Sequence, residues 1–115
     1  MLNPACEQLR LEFQSNEVVC AKVLTLFHLL SNKARFRIVC LLARGEFCVQ
    51  EIAEVVGAGR LSNISQQLKM LTMAGVIVRR REQNRILYTL KDARIRTMIE
   101  FLRVQFLESE QKVLV

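Results

Sequence analysis

No stretch of this 115-residue chain approaches 18 uninterrupted apolar residues, so none is long enough to form a membrane-spanning helix. The amino terminus also lacks the basic-then-apolar order of a secretory signal, because Glu7, Arg10 and Glu12 interrupt its apolar positions. Internal repeats and low-complexity tracts are absent. There is a single histidine, His28, which leaves little for an imidazole metal site or a catalytic base. It lies off the apolar stripes of its segment and reads as an ordinary surface or packing residue. These absences point to one small soluble domain over residues 1–115, cytoplasmic, with 1–14 and 110–115 peripheral. In that compartment four cysteines are not expected to form a disulfide framework, so buried thiols, metal ligands and redox sensors remain as their roles.

Acids are scarce in one place. Residues 60–94 carry eight cations (Arg60, Lys69, Arg79, Arg80, Arg81, Arg85, Lys91 and Arg94) against Glu82 and Asp92. Residues 1–59 balance at six and six, and 95–115 at three and three, so the formal charge of +6 sits on one stretch. A basic patch confined to one segment is the footprint of a polyanion partner.

Within that stretch Ile64, Leu68 and Leu71 recur at i, i+4, i+7, one inward face of an amphipathic helix. Ser62, Asn63, Gln66 and Lys69 occupy the other face. Gly75 stands at the helix stop. Val76–Val78, three arginines, a polar turn Glu82-Gln83-Asn84 and Arg85–Leu90 then read as a cationic β-hairpin. Upstream, Val49, Ile52, Ala53 and Val56 make a clean apolar face, and Gly57-Ala58-Gly59 is a turn into a helix beginning near Leu61. Two short helices joined by a glycine turn are a helix-turn-helix whose second member enters the major groove. Base edges then fall to Ser62, Asn63, Ser65, Gln66 and Gln67, phosphate to Lys69, and backbone or minor groove to Arg79, Arg80, Arg81 and Arg85.

The flanks are helical too. Asn3-Pro4 starts a first helix with Cys6, Leu9 and Phe13 on one side, and Ser15-Asn16 caps a second. Val19, Val23, Leu26 and Leu30 form one stripe of that helix, and Cys20, Leu24 and Phe27 a second. A third runs from about Ala34 to Ala43 with Ile38, Leu41 and Leu42 inward and Arg35 and Arg37 in water. Asp92 caps a last helix that reaches about Ser109, with Ile95, Met98, Ile99, Leu102 and Phe106 along its seam. With 51% hydrophobic residues in so short a chain, the first and last helices are expected to bury apolar surface in a homodimer. The fold class is mainly α with a small β-hairpin.

The sequence resembles the ArsR/SmtB family of winged-helix repressors. The resemblance rests on Leu30–Ile38, Gly45–Ala53, Ile64–Leu71, Ala74–Ile77, Arg80–Glu82 and Tyr88–Leu90, in family order over roughly residues 18–107. It implies a homodimer of winged helix-turn-helix domains that binds double-stranded operator DNA and releases it when an effector arrives. Two departures touch the DNA side: one extra residue between Gly57 and Ser65, and Gln67 where members often carry histidine.

The family's zinc site maps onto Asp92, Arg94, Gln105 and Glu108, and arginine and glutamine cannot replace imidazole donors there. Its thiophilic-metal motif maps onto Glu46–Ile52, where Cys48 is present and Gln50 replaces the second thiol. Cys6 would have to complete a site for a soft metal or metalloid ion. Val39–Leu42, Gly45–Phe47 and Arg85–Leu90 resemble the persulfide-sensing branch (BigR-, SqrR- and HlyU-like proteins). In that branch a helix thiol matching Cys40 pairs with one late in the last helix, where this chain has Leu107. The candidate effector residues are therefore Cys40, Cys48 and Cys6, while Cys20 is expected to pack as a small hydrophobe. The expected function is a repressor released by a thiol-reactive effector, either reactive sulfur or oxidant, or a thiophilic metal. The rivals are a regulator without cysteine sensing and a winged-helix protein-interaction module, which only exposed Met70 and Met73 and the long Gly57–Ser65 link support. A thiol enzyme built on Cys48 ranks last, so the chain is not expected to be an enzyme.

Overall fold

Asparagine, aspartate and glycine set most of the element boundaries. The computed structural model describes residues 2–57 and 60–108. Its helices are α1 (Pro4–Ser15), α2 (Glu17–Leu30), α3 (Lys33–Leu42), α4 (Val49–Val56), α5 (Leu61–Met73) and α6 (Ala93–Leu102). The strands are β1 (Phe47–Cys48), β2 (Ile77–Glu82) and β3 (Arg85–Leu90). Asn3 caps α1 by accepting from the Ala5 amide at 2.7 Å, and Asn32 caps α3 through the Arg35 amide at 3.0 Å. Asp92 caps α6 through the Arg94 amide at 2.8 Å, and the Arg94 guanidinium helps hold its carboxyl down at about 2. Asn16 precedes α2 as expected, but its side chain donates backward to Glu12 and caps nothing ahead.

α5 ends in a Schellman motif. The Val76 amide donates to the Leu71 carbonyl at 3.0 Å and the Gly75 amide to Thr72 at 3.1 Å, with Gly75 at φ +78°. Leu71 and Val76 are both buried in the core, so the turn delivers the chain into β2 with its first side chains already packed. α4 closes on Gly57 at φ +62°. The rest of the expected glycine turn, Ala58 and Gly59, lies outside the described residues.

The core is layered as the stripes foretold: Ile38 and Leu42 of α3, Ile52 and Val56 of α4, Ile64, Leu68 and Leu71 of α5, and Ile95 and Ile99 of α6. The sheet differs. It has three antiparallel strands in the order β1-β3-β2, with Phe47 opposite Tyr88 and Cys48 opposite Leu87. β1 is two residues long, too short for alternation to show. The hairpin turn is Gln83-Asn84, with Glu82 and Arg85 facing each other across it.

Three further expectations change. α6 keeps α geometry only to Leu102, and Arg103–Glu108 continues as a π-helical segment. Its wider turns carry Phe106 off the 3.6-residue stripe, and Phe106 is exposed. Arg35 does not stay in water but is 8% exposed. Cys20 does not pack within the chain, because α2 reaches the core only near its end, through Leu26, Leu29 and Leu30. That leaves Phe27, Leu24 and Val23 of α2 exposed, and α1 buries no residue at all, with Phe13 70% exposed. Among the described residues no helix is long and apolar enough to cross a membrane.

Candidate nucleic-acid interface

The helix-turn-helix is α4 and α5, and α5 has a buried apolar face and an exposed polar one, with Leu61, Met70 and Met73 exposed as well. Ile64, Leu68 and Leu71 are at most 1% exposed, whereas Ser62, Ser65, Gln66 and Lys69 are in solvent. These four and the half-buried Asn63 line one open depression on the helix surface. Such a face has hydrogen-bond donors and acceptors of both signs and a cation, the groups needed to read base edges beside a phosphate.

Gln67 behaves differently from its neighbours. It is half-buried, and its Oε1 accepts from Arg35 Nη1 at 2.9 Å while its Nε2 donates to Asn63 Oδ1 at 3.2 Å. Arg35 also donates through Nε to the Leu29 carbonyl at 2.7 Å, in the last turn of α2. A cation there faces the negative end of the α2 dipole. One buried guanidinium thus ties α2, α3 and α5 together. Sequence reasoning missed Arg35 although the signal was present: 35, 38, 39 and 42 share one helical face with the core.

The arginines of the hairpin do not act as a block. Alternation along β2 puts Arg79 and Arg81 on one side of the sheet and Arg80 on the other. Arg80 is held by Glu46, at 2.9 Å from Nε to Oε2 and 2.7 Å from Nη2 to Oε1. β1 is responsible, since Arg80, Leu87 and Cys48 lie in one row across the sheet and Glu46 is two residues before Cys48. The Arg80 hydrogen bonds hold the Glu46 carboxyl below its usual range and push the guanidinium's own pKa up. Lys69, Arg79 and Arg81 are exposed and form no salt bridge among the described residues. The Arg81 side chain donates to the Gln83 carbonyl at 3.2 Å. Arg85 is exposed and close enough to Glu51 to help lower that carboxyl, after the larger effect of the Cys48 amide on it.

The cysteines are dispersed. Cys6 is exposed on α1, and Cys48 is buried at the start of α4, where its amide donates to Glu51 at 2.9 Å in a capping box. Cys40 is half-buried and lines a groove of about 1030 Å³ between α3, α4 and α6, with Phe36, Val55, Ile99 and Arg44. Burial pushes the Cys40 thiol up, and Arg44 partly opposes this. Among the described residues no group of three or more His, Cys, Asp or Glu side chains is placed to hold a metal ion. Asp92 and Arg94, two positions of the family's zinc site, are paired with each other at 2.6 Å.

The family described as bacterial regulatory protein, arsR family, matches residues 32–78. The chain is 32% identical over 102 residues to a biofilm growth-associated repressor of Xylella fastidiosa, a match covering 89% of this chain and 84% of that one. The solved structure of reduced HlyU from Vibrio cholerae superposes with a TM-score of 0.74 at 30% identity, over 81% of this chain and 97% of that one. A homodimeric winged helix-turn-helix DNA-binding domain from Mycobacterium bovis gives 0.71 at 27% identity, over 83% and 87%. With the hairpin following directly from α5 as its wing, the chain belongs to the ArsR family of bacterial winged helix-turn-helix proteins, transcriptional regulators and not enzymes.

Proposed function

We propose that this protein is a cytoplasmic, homodimeric repressor that grips operator duplex with α5 and the β2–β3 wing, and lets go when a thiol-reactive effector modifies Cys40. The observation that carries the DNA part is the division of α5 into a dry face and a polar face that shares one depression with Lys69. The exposed apolar side chains of α1, α2 and α6, among them Phe13, Leu24, Phe27 and Phe101, support the dimer, as does the homodimeric relative. A partner covering α2 would also give Cys20 the packing role that its own chain withholds.

Cys40 is the effector candidate because it lines the groove between α3, α4 and α6. Its raised pKa keeps it a thiol at neutral pH, and the thiolate is the reacting form, so its modification should quicken as pH rises above neutral. Titration of a labelled random-sequence duplex at low salt tests the proposal. It is run before and after separate exposure of the protein to persulfide, peroxide, arsenite and cadmium. At least one treatment is expected to weaken binding tenfold or more, on the order of 1.4 kcal/mol. Cys40→Ser should abolish that loss, while Cys6→Ser and Cys20→Ser should keep it. Release that survives Cys40→Ser contradicts the effector assignment, and absence of binding at low salt contradicts the DNA assignment.

A further inference from the structure

We infer that Gln67 reads no base itself but fixes the sense of the Asn63 amide, with Arg35 as the anchor; this rests on the DNA-binding reading above. A guanidinium only donates hydrogen bonds. Arg35 is 8% exposed and held to the Leu29 carbonyl at 2.7 Å, so its Nη1 has a fixed place and demands an acceptor. Gln67 Oε1 is the oxygen acceptor there, at 2.9 Å beside the weaker Met70 Sδ at 3.7 Å, so its Nε2 is the group directed at Asn63. Asn63 in turn must offer Oδ1 to that donor. The two amide orientations are coupled: the Gln67 sense suits the donor-only guanidinium on α3, and Asn63 Oδ1 meets the Nε2 that this sense presents. Asn63 lines the depression with Ser62, Ser65, Gln66 and Lys69, whereas Gln67 does not. The sense of an amide decides whether it matches a base's acceptor or its donor. Arg35 and Gln67 are thereby positioning residues that set base preference at the place Asn63 faces.

Gln67→Glu separates this from a merely structural role. Glutamate keeps the acceptor that Arg35 requires, so the fold is retained, but it offers no N–H to Asn63. The probe is the duplex recovered by selection from a random-sequence pool with the wild-type protein, together with its single-base-pair variants. Preference is read as a ratio of affinities, which cancels any uniform loss. Gln67→Glu is expected to relax preference about tenfold, around one good base contact, at one base pair per half-site. Asn63→Ala should relax the same base pair, and the double variant should be no worse than either single. In the free protein, the Asn63 side-chain amide resonances should move on Gln67→Glu. Relaxation at a different base pair from Asn63→Ala, additive effects in the double variant, or unmoved Asn63 resonances would overturn the inference while leaving DNA binding intact. Failure of the wild-type protein to bind any duplex would instead overturn the reading beneath it, and the inference with it.

Discussion

Raising monovalent salt from 50 to 200 mM is expected to weaken duplex binding by about a thousandfold. Each phosphate contact releases condensed counterions, so the logarithm of affinity falls with the logarithm of salt by about 0.9 per contact. Among the described residues, Lys69, Arg79 and Arg81 are exposed cations of α5 and the wing that form no salt bridge; Arg85 forms none either, but the Glu51 carboxylate close to it offsets its charge, so it adds nothing to the sum. Two subunits would supply about six such contacts and a slope near −5, which over a fourfold change in salt is roughly three decades. Arg80 is left out of that sum because Glu46 neutralises it. The Glu46 carboxyl is lowered in the folded protein, so the pair persists above the ordinary carboxylate range and is lost only as pH falls through the lowered value. At neutral pH, therefore, Lys69→Ala, Arg79→Ala and Arg81→Ala should each flatten the slope by about two units in the dimer, and Arg80→Ala by much less. Anisotropy titrations across a salt series check this. Equal effects for Arg80 and Arg79 would mean that the ion pair opens on DNA.

Arg35→Met is expected to lower the free energy of unfolding by about 2–4 kcal/mol, among the largest losses from any polar substitution in the chain. Methionine fills much of the same volume. It leaves the Leu29 carbonyl and Gln67 Oε1 without the charged donor that now serves both. Arg37, two residues on, is the control: it is exposed and donates to the Val56 carbonyl at 3.3 Å. Arg37→Met should cost under about 1 kcal/mol. Urea unfolding of the two variants gives the comparison, and equal costs would show that Arg35 ties nothing together.

The helical core was legible because helix spacing is a local property. Ile64, Leu68 and Leu71 are four and three residues apart, and no distant residue is needed to place them inward. Gly75 and Asp92 were legible for the same reason, since a stop and a cap act within a few residues. What escaped depends on partners far away in sequence. The charge of Arg35 points it to water although it shares a face with Ile38 and Leu42. Its acceptors, Leu29 and Gln67, come from two other helices and only the fold supplies them. Gln67 likewise looked like a base reader among its neighbours, yet it is three residues from Ile64 and four from Leu71, on the inward flank. Arg80 could not be told from Arg79 until β1, a strand of two residues, brought Glu46 across the sheet. Among the described residues nothing covers the exposed apolar stripes of α1 and α2, which is what a second subunit would explain.

The mass of the complex with duplex is the most direct test of that symmetric grip. Sedimentation of the protein with a selected duplex at low salt, at concentrations well above the dissociation constant, should give two chains per duplex. That complex should dissolve as salt is raised. One chain per duplex, or a complex indifferent to salt, would contradict the account.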